Sequence, residues 1–380
     1  MIKRLLSGLL QERLKRFPAA ALLGPRQAGK TTLAKTLSTF YYDLEQSEEQ
    51  LRLDLNWDSI IRSKQLIVLD EAQAMPGIFP RLRSAIDSDR KRNGRFLLLG
   101  SVAPALAGNI SESLAGRLAV CELGPFFLKE FKEVFDEDIL WLRGGFPDGG
   151  VLQKKNFPSW QSDYLGLLAQ RDLPAWGLAA KPQTTMRFFK MLAASHGQIW
   201  NASHIGSSMG LSYHTVNHYL DYLENAYLIL ILRPFHANIR KRLVKSPKIF
   251  WRDSGLLHAL LGVQTMEKLL AEPWVGASWE GWAINQILLT LQTLGKPFDA
   301  YFFRTSEGYE IDLVLEFSKG RWAFEFKLTS SPSPEDMKRL NLAADLIKAD
   351  KRILISRTNK LEGDSKCVSG NVRQCLKHIL

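Results

Sequence analysis

At 380 residues, with 46% hydrophobic and 23% charged side chains, the chain has the composition of a folded protein of two or three domains, which excludes wholesale disorder, collagen and coiled coil. The net charge of +11 is concentrated: residues 181–252 carry 10 basic and 2 acidic side chains while the rest is close to neutral, so a polyanion-binding module is expected there. No apolar run approaches the ~18 to 20 residues that cross a bilayer. The start, MIKRLLSGLLQERLKRF, is a basic amphipathic helix without the apolar stretch of a signal peptide, and Cys121, Cys367 and Cys375 lack metal-ligand spacing. A cytoplasmic protein without disulfide, zinc or membrane contact is expected.

Along residues 1–150, short apolar runs (PAAALLG, QLIVLDE, RFLLLGS, LAVCELG) alternate with amphipathic stretches (TTLAKTL, PRLRSAIDS). Continuous apolar runs between helical patterns predict strands buried on both faces of a parallel, doubly wound α/β sheet. PFFLKEFKEVF reads as a further helix, and the turn-rich RGGFPDGG as a boundary. Residues 151–252 read as short helices: Gly210 ends one, Ser212 caps the next, and the strand-like YLILILRPF and the basic RKRLVKSPKIFWRD follow. Helix, turn, helix and two strands with a basic tip predict a winged helix. Residues 253–380 start with the helix SWEGWAINQILLTLQTL and give three strand signals, AYFFRT, EIDLVLEF and RWAFEFKL, a third α/β unit.

The strongest motif is GPRQAGKT, Gly24, Pro25, Arg26, Gln27, Ala28, Gly29, Lys30 and Thr31, followed by Thr32, set after a strand and before a helix. Its glycines let backbone N–H groups face phosphate, Lys30 bridges phosphates, and Thr31 can ligate Mg²⁺. In LIVLDEAQ a strand delivers Asp70 to that metal and Glu71 to polarise a water. ATP and Mg²⁺ are therefore the expected ligands. Ser101, ending RFLLLGS, is a candidate for the γ-phosphate region, with an exposed loop serine as the alternative. Arg117, in SLAGR, is a candidate arginine finger within one subunit or across a homo-oligomer, with a surface salt bridge as the alternative.

In the basic module the second helix offers Tyr213, His214, Asn217 and His218 toward base edges, and the wing offers Arg240, Lys241, Arg242, Lys245 and Lys248 toward phosphates, a pattern suited to duplex or branched DNA. In the C-terminal unit the strand period of two puts Glu310 and Asp312 on one face and Glu325 and Lys327 on another, with Glu280 on the preceding helix. Two carboxylates and a lysine from adjacent strands can bind Mg²⁺ and activate a water for phosphodiester cleavage; a merely solvated charged face is the alternative.

These motifs, with SPKIFWRDSGLLHALLG, GASWEGWAINQIL, RTSEGYEIDLVLE and FEFK, make the whole chain resemble the prokaryotic AAA-type P-loop ATPases that carry a C-terminal domain of unassigned function. The resemblance implies nucleotide binding through Gly29, Lys30, Thr31 and Asp70, with Glu71 as catalytic base. It implies a final domain similar to the PD-(D/E)xK nuclease fold, in which Asp312, Glu325 and Lys327 match the motif and Glu280 the helical acid. Glu310-x-Asp312 departs from the Pro-Asp that names that fold. Three readings follow: an ATP-driven protein acting on DNA in repair, recombination or defence; a metal-dependent nuclease regulated by ATP; and a nucleotide switch binding protein partners through a degenerate nuclease-like domain.

Overall fold

The computed structural model describes residues 2–100, 113–236 and 243–379. They form two compact units. The first comprises residues 1–126, 172–178 and 225–228, and the second residues 127–171, 179–224 and 229–380, so the chain passes between units five times.

The first unit is built on a parallel sheet of β1 (Ala19–Leu23), β2 (Phe40–Asp43), β3 (Ile67–Asp70), β4 (Phe96–Gly100) and β5 (Leu118–Glu122), in the order β2-β3-β4-β1-β5. The three central strands are AAALL, IVLD and FLLLG, buried at every position, whereas the edge strands β2 and β5 are partly exposed. Side-chain alternation splits each central strand between two cores. Ala19, Ala21, Leu23, Ile67, Leu69, Phe96 and Leu98 pack on one face with the helix Ile78–Ser88, and Ala20, Leu22, Val68, Leu97 and Leu99 on the other with the helices Leu6–Arg16 and Lys30–Lys35. The continuous apolar runs thus report a sheet covered on both sides, as the sequence predicts.

The second unit is built on an eight-stranded mixed sheet of β6 (Ile229–Pro234), β7 (Lys248–Trp251), β8 (Asp299–Arg304), β9 (Glu310–Phe317), β10 (Gly320–Phe326), β11 (Lys351–Ile355), β12 (Glu362–Gly363) and β13 (Cys367–Gly370). Its order is β12-β13-β11-β10-β9-β8-β6-β7. The two strands expected as a wing are present as the antiparallel pair β6–β7, but β6 also pairs with β8, with Arg233 opposite Tyr301, so they extend the C-terminal sheet. The helix–turn–helix before them is as expected. Helix Ala202–Met209 ends at Gly210, which is left-handed at φ 69°, and Ser212 Oγ accepts from the Thr215 N–H at 3.1 Å to cap helix Tyr213–Asn225.

One predicted element is corrected. PFFLKEFKEVF is irregular apart from a single 3₁₀ turn, Leu128–Glu130, and the helix begins only at Glu137, where Asp136 accepts from the Asp138 N–H. A capping carboxylate outside the apolar pattern set the start.

Candidate functional site

The loop after β1 turns on residues that tolerate positive φ. Gly24 sits at φ 151°, and a Cβ there would lie 2.1 Å from the Leu123 carbonyl oxygen, so only glycine lets the chain leave the sheet beside β5. Gln27 (φ 60°) and Gly29 (φ 94°) continue the curl, the conformation that turns successive N–H groups into one concavity. Pro25 and Ala28 are buried beneath it, Arg26 is half-buried, and Gln27 and Thr32 are exposed. Lys30 is buried and donates to the Gly24 and Pro25 carbonyls at 2.9 and 2.8 Å. Burial lowers its amine to about 8 against the opposing pull of Glu71 and Asp70.

The two motifs meet through Asp70. Its Oδ2 accepts from Thr31 Oγ1 at 2.7 Å and from Tyr41 OH at 2.6 Å, and its Oδ1 accepts from the Glu71 N–H at 2.9 Å. Glu71 stands at φ 48°, a turn that ends the strand, and the Gln73 amide donates to its carboxylate. Burial raises Glu71 above the usual carboxylate range, against Gln73 and Lys30. Sequence reasoning missed two supports, Arg4 and Asp172. Arg4 is buried and donates to the Ala28 and Gly124 carbonyls, both at 2.6 Å, with its guanidinium 4.6 Å from the Phe126 ring centre. Arg26 lies 3.4 Å from Asp172, which is itself buried, and 3.8 Å from Glu45.

Arg117 makes a two-pronged ion pair with Asp87, both contacts at 2.9 Å, the surface bridge named above as the alternative to a finger. Ser101 lies outside the described residues.

Of the nucleic-acid candidates, Tyr213, His214, His218 and Lys245 are exposed, and Asn217 Oδ1 accepts from Trp200 Nε1 at 3.0 Å. Trp200, Tyr213, Asn217, Arg233 and Lys245 line a groove of about 850 Å³. Arg240, Lys241 and Arg242 lie outside the described residues. Lys248 is a correction: the expected wing cation is buried, because β7 turns its first residue toward the carboxylates of the C-terminal unit.

Those carboxylates converge as the strand period predicts. Lys248 Nζ is 3.0 Å from Glu310, 3.3 Å from Glu280 and 3.7 Å from Asp312. The other oxygen of Asp312 accepts from the Phe326 N–H at 3.0 Å, and Lys327 pairs with Glu325 at 2.6 Å. Burial favours the uncharged lysine, but Glu280, Asp312 and Glu310 outweigh it and hold Lys248 above the ordinary lysine value. Four acids share Lys248, Lys327 and Arg304, the last 3.7 Å from Glu310, and burial with mutual repulsion pushes Glu280 up to about 8 and Glu325 to about 7. A cleft of about 550 Å³ lined by Tyr309, Glu310, Glu325, Lys327 and Arg339 opens beside them. Among the described residues no group of three or more His, Cys, Asp or Glu side chains is arranged to hold a metal ion.

The segments SPKIFWRDSGLL and RGGFP close on each other. Asp253 is buried, its carboxylate accepts from the Gly145 and Leu256 N–H groups at 2.7 and 3.0 Å, and burial raises it to about 6. His258 Nδ1 lies 2.8 Å from the Leu142 carbonyl and Nε2 lies 2.7 Å from Ser278 Oγ, which also accepts from Trp141 Nε1 at 3.0 Å. His196 Nδ1 accepts from the Trp251 N–H at 3.0 Å. Burial lowers His258 to about 4 and His196 to about 3. This node is structural.

Residues 16–132 match the family model described as AAA domain, and residues 136–267 and 275–371 match two described as domains of unknown function, DUF8612 and DUF4143. Uncharacterized proteins of Mycobacterium bovis and Mycobacterium tuberculosis are each 38% identical over 329 residues, covering 85% of this chain and 73% of the relative. An uncharacterized protein of Haemophilus influenzae is 26% identical over 220 residues, 53% of this chain and 54% of its own. Among solved structures, a Walker-type ATPase of Pyrococcus abyssi aligns with a TM-score of 0.48 at 17% identity, over 69% of this chain and 96% of its own.

Proposed function

The chain belongs to one family with the two mycobacterial proteins and carries an AAA-type P-loop domain, and from that premise we propose that it hydrolyses Mg·ATP and uses the cycle to act on DNA. The carrying observation is the 2.7 Å contact between Thr31 Oγ1 and Asp70 Oδ2 beside the buried Lys30.

Two hard oxygen donors at that spacing fit Mg²⁺, which when bound there neutralises phosphate charge. Lys30, now spent on two loop carbonyls, supplies its ammonium to the phosphates in their place, and the curled loop offers its N–H groups. Glu71 is the base. Its turn separates it from the strand, Gln73 holds its carboxylate, and burial raises its proton affinity toward that of a group able to take a proton from water. Arg26, a residue of the same loop, is braced by Asp172 at 3.4 Å.

Support for DNA comes from the charge excess of residues 181–252 and from the exposed Tyr213, His214, His218 and Lys245. In this reading helix Tyr213–Asn225 meets bases, Lys245 with Arg240, Lys241 and Arg242 meets phosphates, and the C-terminal domain is a platform that does not cut. Catalysis across a homo-oligomer through Arg117 remains part of the proposal, and requires the Asp87 pair to open.

The test measures Mg·ATP hydrolysis with and without duplex, single-stranded and branched DNA, with gels of the same DNA. Glu71→Gln is expected to lower kcat at least ~100-fold while nucleotide binding persists. DNA is expected to stimulate hydrolysis and to remain intact. Hydrolysis indifferent to every DNA, with none bound, overturns the DNA part and leaves the switch reading.

A further inference from the structure

A nuclease of the fold that the C-terminal domain resembles works through a divalent cation held by its carboxylates, and the donor set here does not fit one. The centre of the cluster is taken. The Lys248 ammonium has three N–H donors and three carboxylates around it, those of Glu310, Glu280 and Asp312 at 3.0 to 3.7 Å. The remaining oxygen of Asp312 is spent on the Phe326 N–H, and Glu325 is spent on Lys327.

Lys248 is not a surface side chain that swings in and out. Its side chain is 6% exposed, and its backbone is fixed on both sides, paired with Leu232 in β6 and bridged to Ile199. Burying an ammonium costs more than any one surface ion pair returns, so a lysine stays at such a position only when several carboxylates neutralise it together. The reverse holds too. Without a cation, three carboxylates within reach of one point repel one another, and the Lys248 ammonium supplies the charge that relieves them.

We propose that the Lys248 ammonium stands in the place of the divalent cation, so that the C-terminal domain of the wild-type protein takes up no metal at this cluster and cuts no phosphodiester. A divalent ion would have to share the cluster with a fixed positive charge, and its hard oxygen ligands are already engaged. The lysine reaches the cluster from the segment preceding the domain, SPKIFW (residues 246–251), so Lys248 belongs to the domain's electrostatics although it precedes the domain's first helix in the chain. The claim is independent of the ATPase reading.

Mn²⁺ titration of the full-length, nucleotide-free protein, followed by electron paramagnetic resonance, tests it. Wild type and Asp312→Asn are expected to bind the same amount of Mn²⁺. Lys248→Met is expected to gain one site, with affinity about tenfold or more above wild type, since carboxylate clusters suit Mg²⁺ and Mn²⁺. Adding Asp312→Asn to Lys248→Met is expected to remove that site. If Lys248→Met does not fold, Lys248→Met with Glu280→Gln removes one charge of each sign and takes its place in the titration. A wild-type site lost on Asp312→Asn, or wild-type DNA cleavage lost on the same substitution, overturns the proposal, as does a folded Lys248→Met that gains no Mn²⁺.

Discussion

Arg4 and His258 do at the residue scale what the motifs do not reveal. Arg4 holds the Ala28 and Gly124 carbonyls from positions 24 and 120 residues away, and no local pattern marks it. Arg4→Met keeps the apolar stem but leaves two buried carbonyls unpaired, at about 1 to 3 kcal/mol, so a lower urea midpoint and weaker ATP binding are expected together. His258 is held neutral because burial lowers it to about 4. The unfolded chain therefore binds its proton first as pH falls below ~6.5. The stabilisation is whole above that pH and is lost on descent toward 4, with a slope of up to ~1.4 kcal/mol per pH unit. Asp253, raised to about 6, and the acids around Lys248 act with the opposite sign, so the comparison must be differential. The gap in urea midpoint between wild type and His258→Asn is expected to narrow as pH falls from ~7 to ~5. By contrast Lys30, Thr31, Asp70 and Glu71 were legible, because phosphate chemistry dictates both residue types and spacing.

Elements were legible as strands or helices but not as partners. The run YLILILRPF announces a strand with its apolar side chains, yet nothing in its periodicity says that β6 joins β8 rather than closing a separate wing. The error over Lys248 follows from that one misassigned neighbour. Glycines mark the other long-range fit. A Cβ at Gly144 would lie 2.0 Å from Asp253 Oδ1, and one at Gly255 would lie 2.0 Å from the Arg143 carbonyl oxygen, so RGGFP and the turn opening helix Ser254–Leu260 interlock at the backbone. Gly276, in helix Val275–Thr293, would meet nothing within 4 Å. Gly255→Ala is therefore expected to cost about 3 kcal/mol or more, since backbone must move, whereas Gly276→Ala is neutral or stabilising by up to ~1 kcal/mol. Urea denaturation of the two variants checks the pair.

For the whole molecule, the net charge of +11 counts a lysine that no ligand meets, since Lys248 is neutralised inside the second unit. DNA affinity is expected to rest on the exposed cations. With about four phosphate contacts, it falls roughly a hundredfold between ~50 and ~200 mM salt. Lys245→Ala should lower the salt slope by about one contact, while Lys248→Met should not, and fluorescence anisotropy across a salt series separates them. The five crossings between units also bear on synthesis. Tyr227 packs on the core that includes Leu98 and Ile67, and the buried Asp172 stands against Arg26. A ribosome that has delivered residues 1–150 has delivered the sheet and the phosphate loop, but not the pieces that finish them. Nascent chains arrested at increasing lengths should resist protease over the first unit only after residue 228 has cleared the exit tunnel, so the first unit matures only after two stretches of the second have already been made.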